Sequence, residues 1–400
     1  MKNKIAVLSL LLLIASTACP VGNKSHEQND TNKVRPGQNA NDRLSEKKLG
    51  FSRFIGPKDC PGVSSFADPY VFQQGDAWYI TATYSKGDPM YMFSTTDFAE
   101  KERYTLNLDL NESYLRNHFG RPKLKAYHLW GFVPYKHTDN HWHAYGTINI
   151  GNYKTFVCHF RPAKITNWPI TDWQLDKVLV GSPTDTTYES KIYSDARGMY
   201  LLYVDTLADG NNHIMAQKML DPDVLDTAFT PRAILSPEGL ASEYRNPPRG
   251  MQICEGQNIS HVVTSNGSKY VMFYSVGDFA ESNYKLGVAY SDVLIPPINQ
   301  NYVKPKRFDS ENSWGNSVAD TEVIYLLQSQ LTEWPNYCEI LCSGPGLGNL
   351  VDYLNNYYII FHARDAGQTG TGQGRWVWIC PATVDFSASM NSWVVPRLPN

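Results

Sequence analysis

A hairpin that recurs five times constrains this chain more than any other feature. Turn residues at Gln74-Gly75-Asp76, Asp139-Asn140, Ala196-Arg197-Gly198, Asn266-Gly267 and Asn355-Asn356 are each followed by a strand-like run rich in Tyr, Trp or Phe. Taken at Gly75, Asn140, Gly198, Gly267 and Asn356, the turns lie 65, 58, 69 and 89 residues apart. β-type runs fill the intervals (77–84, 142–148, 199–204, 269–274, 285–290, 357–362 and 375–379), and amphipathic helices are nearly absent. A unit of this length accommodates one four-stranded blade with its loops. Blades repeated around an axis hide most of their strand edges, so the pattern predicts an all-β, five-bladed β-propeller, with a pair of β-sandwich domains as the alternative. The 10 Trp, 25 Tyr and 16 Phe suit that architecture. Most such rings fill sheet interfaces, and a minority is left to stack on flat, uncharged ligands such as sugars.

With 400 residues, 42% of them hydrophobic, the chain can bury a full core. Its 36 basic and 39 acidic residues leave a net charge of −3, which gives no electrostatic footprint for nucleic acid or an anionic membrane surface. Lys2 and Lys4 precede an apolar run from Ile5 to Ile14, then small residues from Ala15 to Ala18 before Cys19. That is the layout of a secretory signal peptide over residues 1–18. Small residues directly before a cysteine resemble the lipobox of bacterial lipoproteins, with Cys19 as the lipidated residue, although Ser16 stands where Leu is usual. Residues 19–49 are polar and read as a flexible spacer, and residues 50–400 as the folded domain. The expected location is the periplasm or the outer membrane and cell surface of a bacterium, with membrane contact through the lipid anchor only and a monomeric chain. Cys60, Cys158, Cys254, Cys338, Cys342 and Cys380 are an even number in an exported chain and permit up to three disulfides among 15 pairings.

Three acidic residues sit just upstream of hairpins in apolar or small surroundings. They are Asp68 in Phe66-Ala67-Asp68-Pro69-Tyr70-Val71, Glu189 in Tyr188-Glu189-Ser190-Lys191-Ile192, and Glu255 in Ile253-Cys254-Glu255-Gly256-Gln257. If these segments are inner strands of different blades, equivalent places point at a common centre and three carboxyl groups converge at an axial pocket. Crowded carboxylates shift each other's titration, and glycoside hydrolysis uses a protonated acid beside a carboxylate that activates water or attacks the sugar. Solvated strand-end acids or turn caps are the plainer reading of each residue taken alone.

These segments resemble glycoside hydrolase family 43, inverting enzymes on five-bladed propellers that remove arabinofuranosyl or xylosyl units from plant polysaccharides. Ala67-Asp68-Pro69-Tyr70-Val71 is similar to the family's opening motif, which holds its general base, and Cys254-Glu255-Gly256 followed by Asn266-Gly267 to the motif of its general acid. Glu189 falls where the family usually has an Asp that tunes the acid. Leu129-Trp130-Gly131-Phe132-Val133-Pro134 loosely resembles the second-blade motif, and Gly344-Pro345-Gly346 followed by Tyr357 to Ala363 the last-blade signature. The resemblance covers about residues 60 to 380. It implies that Glu255 protonates the leaving oxygen, Asp68 deprotonates water, and Glu189 raises and orients Glu255. The acid and base would then stand roughly 6.5 to 9.5 Å apart. Arg375 would bind sugar hydroxyls or hold Asp68 ionised, and Trp130 would offer a stacking face; a structural ion pair and core packing are equally good readings of the two. The implied partner is an oligosaccharide or polysaccharide, with a non-catalytic glycan-binding propeller as the alternative. Leu347 stands where many members have a His associated with a metal ion, so no metal or cofactor is expected.

Other features carry less. His141 and His143 lie two apart on a strand-like run and share a face, but no third metal ligand is identifiable from sequence. Cys338 and Cys342 lack the second pair a structural zinc site needs. Gly344-Pro345-Gly346-Leu347-Gly348 has neither a Walker pattern nor a strand-to-helix context and reads as a turn. Residues 367–374, GQTGTGQG, read as a flexible loop bordering the pocket.

Overall fold

Five sheets follow one another along the chain, and each begins with one of the recurring hairpins. The computed structural model describes residues 49–164, 167–245, 250–305, 325–328, 342–386 and 394–396. The signal segment, Cys19, most of the spacer and Cys338 lie outside the described residues.

After strand β1 (Ser52–Ile55), the first blade runs β2 (Tyr70–Gln74), β3 (Ala77–Thr81), then, past the short β4 (Tyr84–Ser85), β5 (Met90–Thr95) and β6 (Glu102–Asp109). Helix α1 (Glu112–His118) leads into the second blade, β7 (His128–Lys136), β8 (Trp142–Asn149), β9 (Thr155–Pro162) and β10 (Asp172–Val180). The third holds β11 (Thr187–Asp195), β12 (Gly198–Thr206) and β13 (Asn212–Asp221), with β14 (Val224–Leu225) and β15 (Arg232–Leu235) both paired to β13. The fourth is β16 (Glu255–Thr264), β17 (Gly267–Val276), β18 (Lys285–Ser291) and β19 (Tyr325–Gln328). The fifth is β20 (Cys342–Tyr353), β21 (Asn356–Asp365) and β22 (Trp376–Val384), and β23 (Val394–Pro396) also pairs with β22. Its fourth strand is β1, which pairs with β22 through Ser52 opposite Ile379 and Arg53 opposite Trp378. The first strand of the folded region thereby closes the last blade.

The leading strands β2, β7, β11, β16 and β20 touch in that order, and β20 returns to β2, so they form a closed inner ring. This is the five-bladed β-propeller expected from the repeat. Strand side chains alternate between faces, and here both faces are covered by neighbouring blades, which is why the strands read as unbroken apolar runs. In β12, Leu201 and Tyr203 pack toward the second blade with Val133 and Tyr145, whereas Leu202 and Val204 pack toward the fourth with Met272 and Tyr274. Five such buried clusters fill the five spaces between blades and take up most of the aromatic rings.

One backbone feature repeats around the ring. At or just before each leading strand, one residue has left-handed backbone: Asp68 (φ 60°), Gly131 (φ 62°), Glu189 (φ 55°), Gly256 (φ 72°) and Leu347 (φ 48°). In the second to fifth blades the pairing register slips at this point, between Trp130 and Phe132, Tyr188 and Lys191, Glu255 and Asn258, and Gly346 and Asn349. A bulge of this kind bends the strand and re-aims its side chains.

The disulfide expectation needs correction. Cys60, Cys158 and Cys254 are buried thiols, each in a different inter-blade cluster, so three disulfides do not form. Burial pushes the Cys60 and Cys254 thiols up to about 12, which makes them apolar fillers.

The glycine at the fourth-blade bulge is required twice over. A Cβ at Gly256 would sit 2.9 Å from Ser275 Oγ and 3.0 Å from Leu347 Cγ, in addition to the left-handed backbone, whereas one at Gly75 (φ 63°) would meet nothing within 4 Å. Gly75→Ala is therefore expected to lose only the backbone term, about 1–2 kcal/mol, and Gly256→Ala measurably more. Denaturant midpoints of the two variants check the ordering.

Candidate active site

The recurring bulge brings the sequence-derived residues to one end of the inner ring. Asp68 and Glu189 are themselves the left-handed residues of the first and third blades, while Glu255 comes one position before the left-handed Gly256. The three carboxylates therefore converge, but Glu255 is offset by one from the other two, which refines the expectation of equivalent places. The third-blade counterpart of Glu255 is Tyr188, and the second-blade counterpart is Trp130.

Asp68 is held by groups from the first and fifth blades. Arg375 Nη1 donates to its Oδ1 at 3.2 Å, Thr83 Oγ1 donates to its Oδ2 at 2.5 Å, and the Asp68 backbone N–H donates to His362 Nδ1 at 2.9 Å. Thr83 Oγ1 in turn accepts the Gly131 N–H at 3.1 Å. Burial alone would raise the Asp68 carboxyl, but the Arg375 charge, His362 and Thr83 together outweigh it and hold it well below the usual carboxylate range. His362 is fully buried, and burial and the Arg375 charge push it down to about 4. It is a neutral imidazole that accepts at Nδ1.

Glu255 lies in the opposite environment. Tyr188 Oη donates to its Oε2 at 2.6 Å and Tyr284 Oη to its Oε1 at 2.7 Å, while Asn212 Nδ2 donates to Tyr188 Oη at 2.7 Å. Burial raises the Glu255 carboxyl; the two tyrosines counteract this only in part, and the Asp68 charge adds to the rise. Glu189 is raised as well, first by burial and then by the Glu255 and Asp68 charges. It accepts the Gly256 N–H on Oε2, and its backbone carbonyl accepts from Gln257 Nε2, so it grips the backbone immediately after Glu255.

Two residues beyond Glu189 on the same strand, Lys191 is buried with its Nζ 5.0 Å from the centre of the Tyr70 ring. Burial pushes it down to about 8 against the pull of Glu189 and Asp68. The position where the resemblance would place a metal-associated His holds Leu347, whose apolar side chain packs on Gly256. A leucine side chain offers a cation no ligand atom there.

Beside Asp68 opens a cavity of about 230 Å³, lined among others by Ala67, Thr83, Trp130, Phe279, Arg364 and Arg375. Thr371 and Gln373 also line it, so the glycine-rich loop does border the cavity. Arg375 lies directly before β22 rather than within it, and it both pairs with Asp68 and faces the cavity. Trp130 likewise serves in two ways, edge-on to Tyr188 at 6.1 Å and exposed to the cavity. A second cavity of about 490 Å³ shares His128 and Trp130 with the first and adds Tyr127 and Tyr153, both half-exposed. Tyr188, Tyr284, His362, Thr83 and Lys191 were missed from sequence. Of these, only Tyr188, beside Glu189, and His362, inside the Tyr357 to Ala363 run, carried a local signal.

No family model matches the sequence, and no curated protein matches it. Solved structures do. A thermostable family-43 glycoside hydrolase aligns at TM-score 0.57 and 17% identity over 86% of this chain and 96% of its own. The fold is that of family-43 glycoside hydrolase structures. An α-L-arabinofuranosidase from Lactobacillus brevis aligns at TM-score 0.58 and 15% identity, covering 83% and 94% of the two chains. An exo-1,5-α-L-arabinanase from a bovine ruminal metagenomic library aligns at TM-score 0.56 and 17% identity, covering 83% and 96%.

The raised Glu189 has a consequence for stability. Its folded-state pKa lies above the unfolded value near 4.5, so the native state binds this proton more tightly. The stability this group contributes is full below about pH 4.5 and is lost as pH rises toward the folded pKa. Glu189→Gln removes the loss. Its melting temperature should exceed that of the wild type increasingly as pH rises from 5 to 8; a constant difference across that range would contradict the assignment.

Proposed function

We propose that the chain is an exo-acting, inverting glycoside hydrolase that removes terminal arabinofuranosyl, xylosyl or galactofuranosyl residues from plant-type polysaccharides or oligosaccharides. One observation carries this reading: two carboxyl groups at one end of the propeller ring are biased in opposite directions, Asp68 toward the ionised and Glu255 toward the protonated form. Glu255 then protonates the leaving glycosidic oxygen as general acid, and Asp68 takes a proton from water attacking the opposite face of the sugar. The Tyr188 and Tyr284 hydroxyls stabilise the Glu255 carboxylate left behind. Glu189 positions Glu255 through the Gly256 N–H.

The exo preference is supported by size. The cavity beside Asp68, about 230 Å³, is smaller than the roughly 300–1,000 Å³ of sites that enclose drug-sized ligands, and it suits one terminal sugar ring. The adjoining cavity with Tyr127 and Tyr153 offers faces for the following units. Arabinofuranosyl is favoured because an arabinofuranosidase and an exo-arabinanase share the fold. Export as a lipoprotein through Cys19 belongs to the same proposal and rests on the signal segment.

Aryl α-L-arabinofuranoside, β-D-xyloside and β-D-galactofuranoside test the reading, with the product anomer followed by NMR. Release with inversion is expected from one of them, and Asp68→Asn and Glu255→Gln should each lower kcat at least about 100-fold without altering the fold. Tight glycan binding with no product would replace the enzyme with a glycan-binding propeller. Tyr188→Phe removes one donor to the Glu255 carboxylate and so raises its pKa further. The alkaline limb of the kcat/KM profile should move to higher pH while the acidic limb, set by Asp68, stays in place.

A further inference from the structure

At the far end of the second blade from Trp130, the β7–β8 turn gathers His137, Asp139 and His143, whose ligand atoms all lie within 4.8 Å of one another. The turn is tightly made. His137 N–H donates to the His141 carbonyl at 2.9 Å, Asn140 N–H to the His137 carbonyl at 3.0 Å, and His141 N–H to Asp139 Oδ1 at 2.9 Å. His141, which pairs with His143 on sequence spacing, instead lies outside the strand and is exposed; the partner of His143 is His137.

We propose that His137 Nδ1, an Asp139 carboxylate oxygen and His143 Nε2 form a zinc site with water as the fourth ligand. Two buried ring nitrogens lead to it: neither His137 Nδ1 nor His143 Nε2 has a hydrogen-bond partner among the described residues, and Asp139 Oδ1 already lies 3.1 Å from His137 Nδ1. A buried polar atom left in this way is destabilising unless something binds it.

The groups behind His143 are arranged as metal ligands require. His143 Nδ1 is 2.9 Å from His159 Nε2, and His159 Nδ1 is 3.1 Å from Asp176 Oδ2. With Asp176 accepting from His159 Nδ1–H, His159 Nε2 is left to accept from His143 Nδ1–H. The His143 lone pair then sits on Nε2 and points at the cluster. A carboxylate behind a ligating histidine fixes its tautomer and raises its basicity, here through one intervening imidazole. Two imidazoles and a carboxylate suit Zn²⁺, whose ligand distances of about 2.0–2.2 Å need only a modest closing of the three side chains. Asp139 is half-exposed, which leaves an entry path and room for water.

The untagged, chelator-treated protein is titrated with ZnCl₂ by calorimetry at pH 7.5, with metal content measured after dialysis. One zinc per chain is expected, together with a rise in melting temperature. His137→Gln and His143→Gln should each weaken binding at least about 100-fold, and Asp176→Asn, which touches no ligand atom directly, about 10–100-fold. X-ray absorption at the zinc edge should show two imidazoles and oxygen ligands. Absence of stoichiometric zinc, or equal uptake by the folded His137→Gln/His143→Gln double variant, would overturn the site. Because the cluster lies at the opposite end of the blade, this result is independent of glycosidase activity.

Discussion

Five residues in left-handed backbone conformation, one per blade, hold this structure and its candidate chemistry together. Two are glycines, which adopt the conformation freely. The other three are Asp68, Glu189 and Leu347, each carrying a penalty of about 1–2 kcal/mol, which the packed inner ring must offset. At Asp68 and Glu189 the same backbone turn aims a carboxylate across the ring, so the strain is coupled to the chemistry. At the fourth blade a glycine takes the strained position and Glu255 comes one residue earlier, opposite Tyr188. That offset gives Glu255 its own partners, the Tyr188 and Tyr284 hydroxyls.

The site works by contrast. All three carboxyls are buried, and burial alone would protonate each of them. Arg375 and Thr83 rescue the charge of Asp68 only, while the neutral His362 holds its backbone N–H. Glu255 receives two hydroxyl donors, which tolerate either protonation state, and Glu189 a single backbone N–H. Lys191, two residues beyond Glu189 on β11, is a buried cation that pulls the Glu189 carboxyl down against burial and is itself pulled up by Glu189 and Asp68.

Much of this was legible in the sequence because the repeat is a local signal. The five turns that fix the hairpins contain Gly, Asn or Asp, and the strands between them alternate toward two neighbouring blades, so blade number and order followed from spacing. Asp68, Glu189 and Glu255 were legible as acids in apolar company just before those turns. Their partners were not. Tyr284 and Thr83 sit in no recurring motif, and His362 lies nearly 300 residues from Asp68 in the chain; only closure of the ring makes them neighbours. The thiols Cys60, Cys158 and Cys254 show the converse error, since an even cysteine count says nothing about whether three of them lie in different inter-blade spaces. His137 was overlooked for a similar reason: its partner lies across the turn rather than at alternate spacing along one strand.

The central claim is that Asp68 and Glu255 are held in opposite protonation states by their surroundings. It is tested most directly by ¹³C NMR titration of the side-chain carboxyl carbons in the intact protein, with assignments from Asp68→Asn and Glu255→Gln. The account predicts that Asp68 titrates below the usual aspartate range and Glu255 above the usual glutamate range, so that across the interval between them one is ionised and the other protonated. Two carboxyls titrating together near their ordinary values, or Glu255 ionising before Asp68, would contradict it.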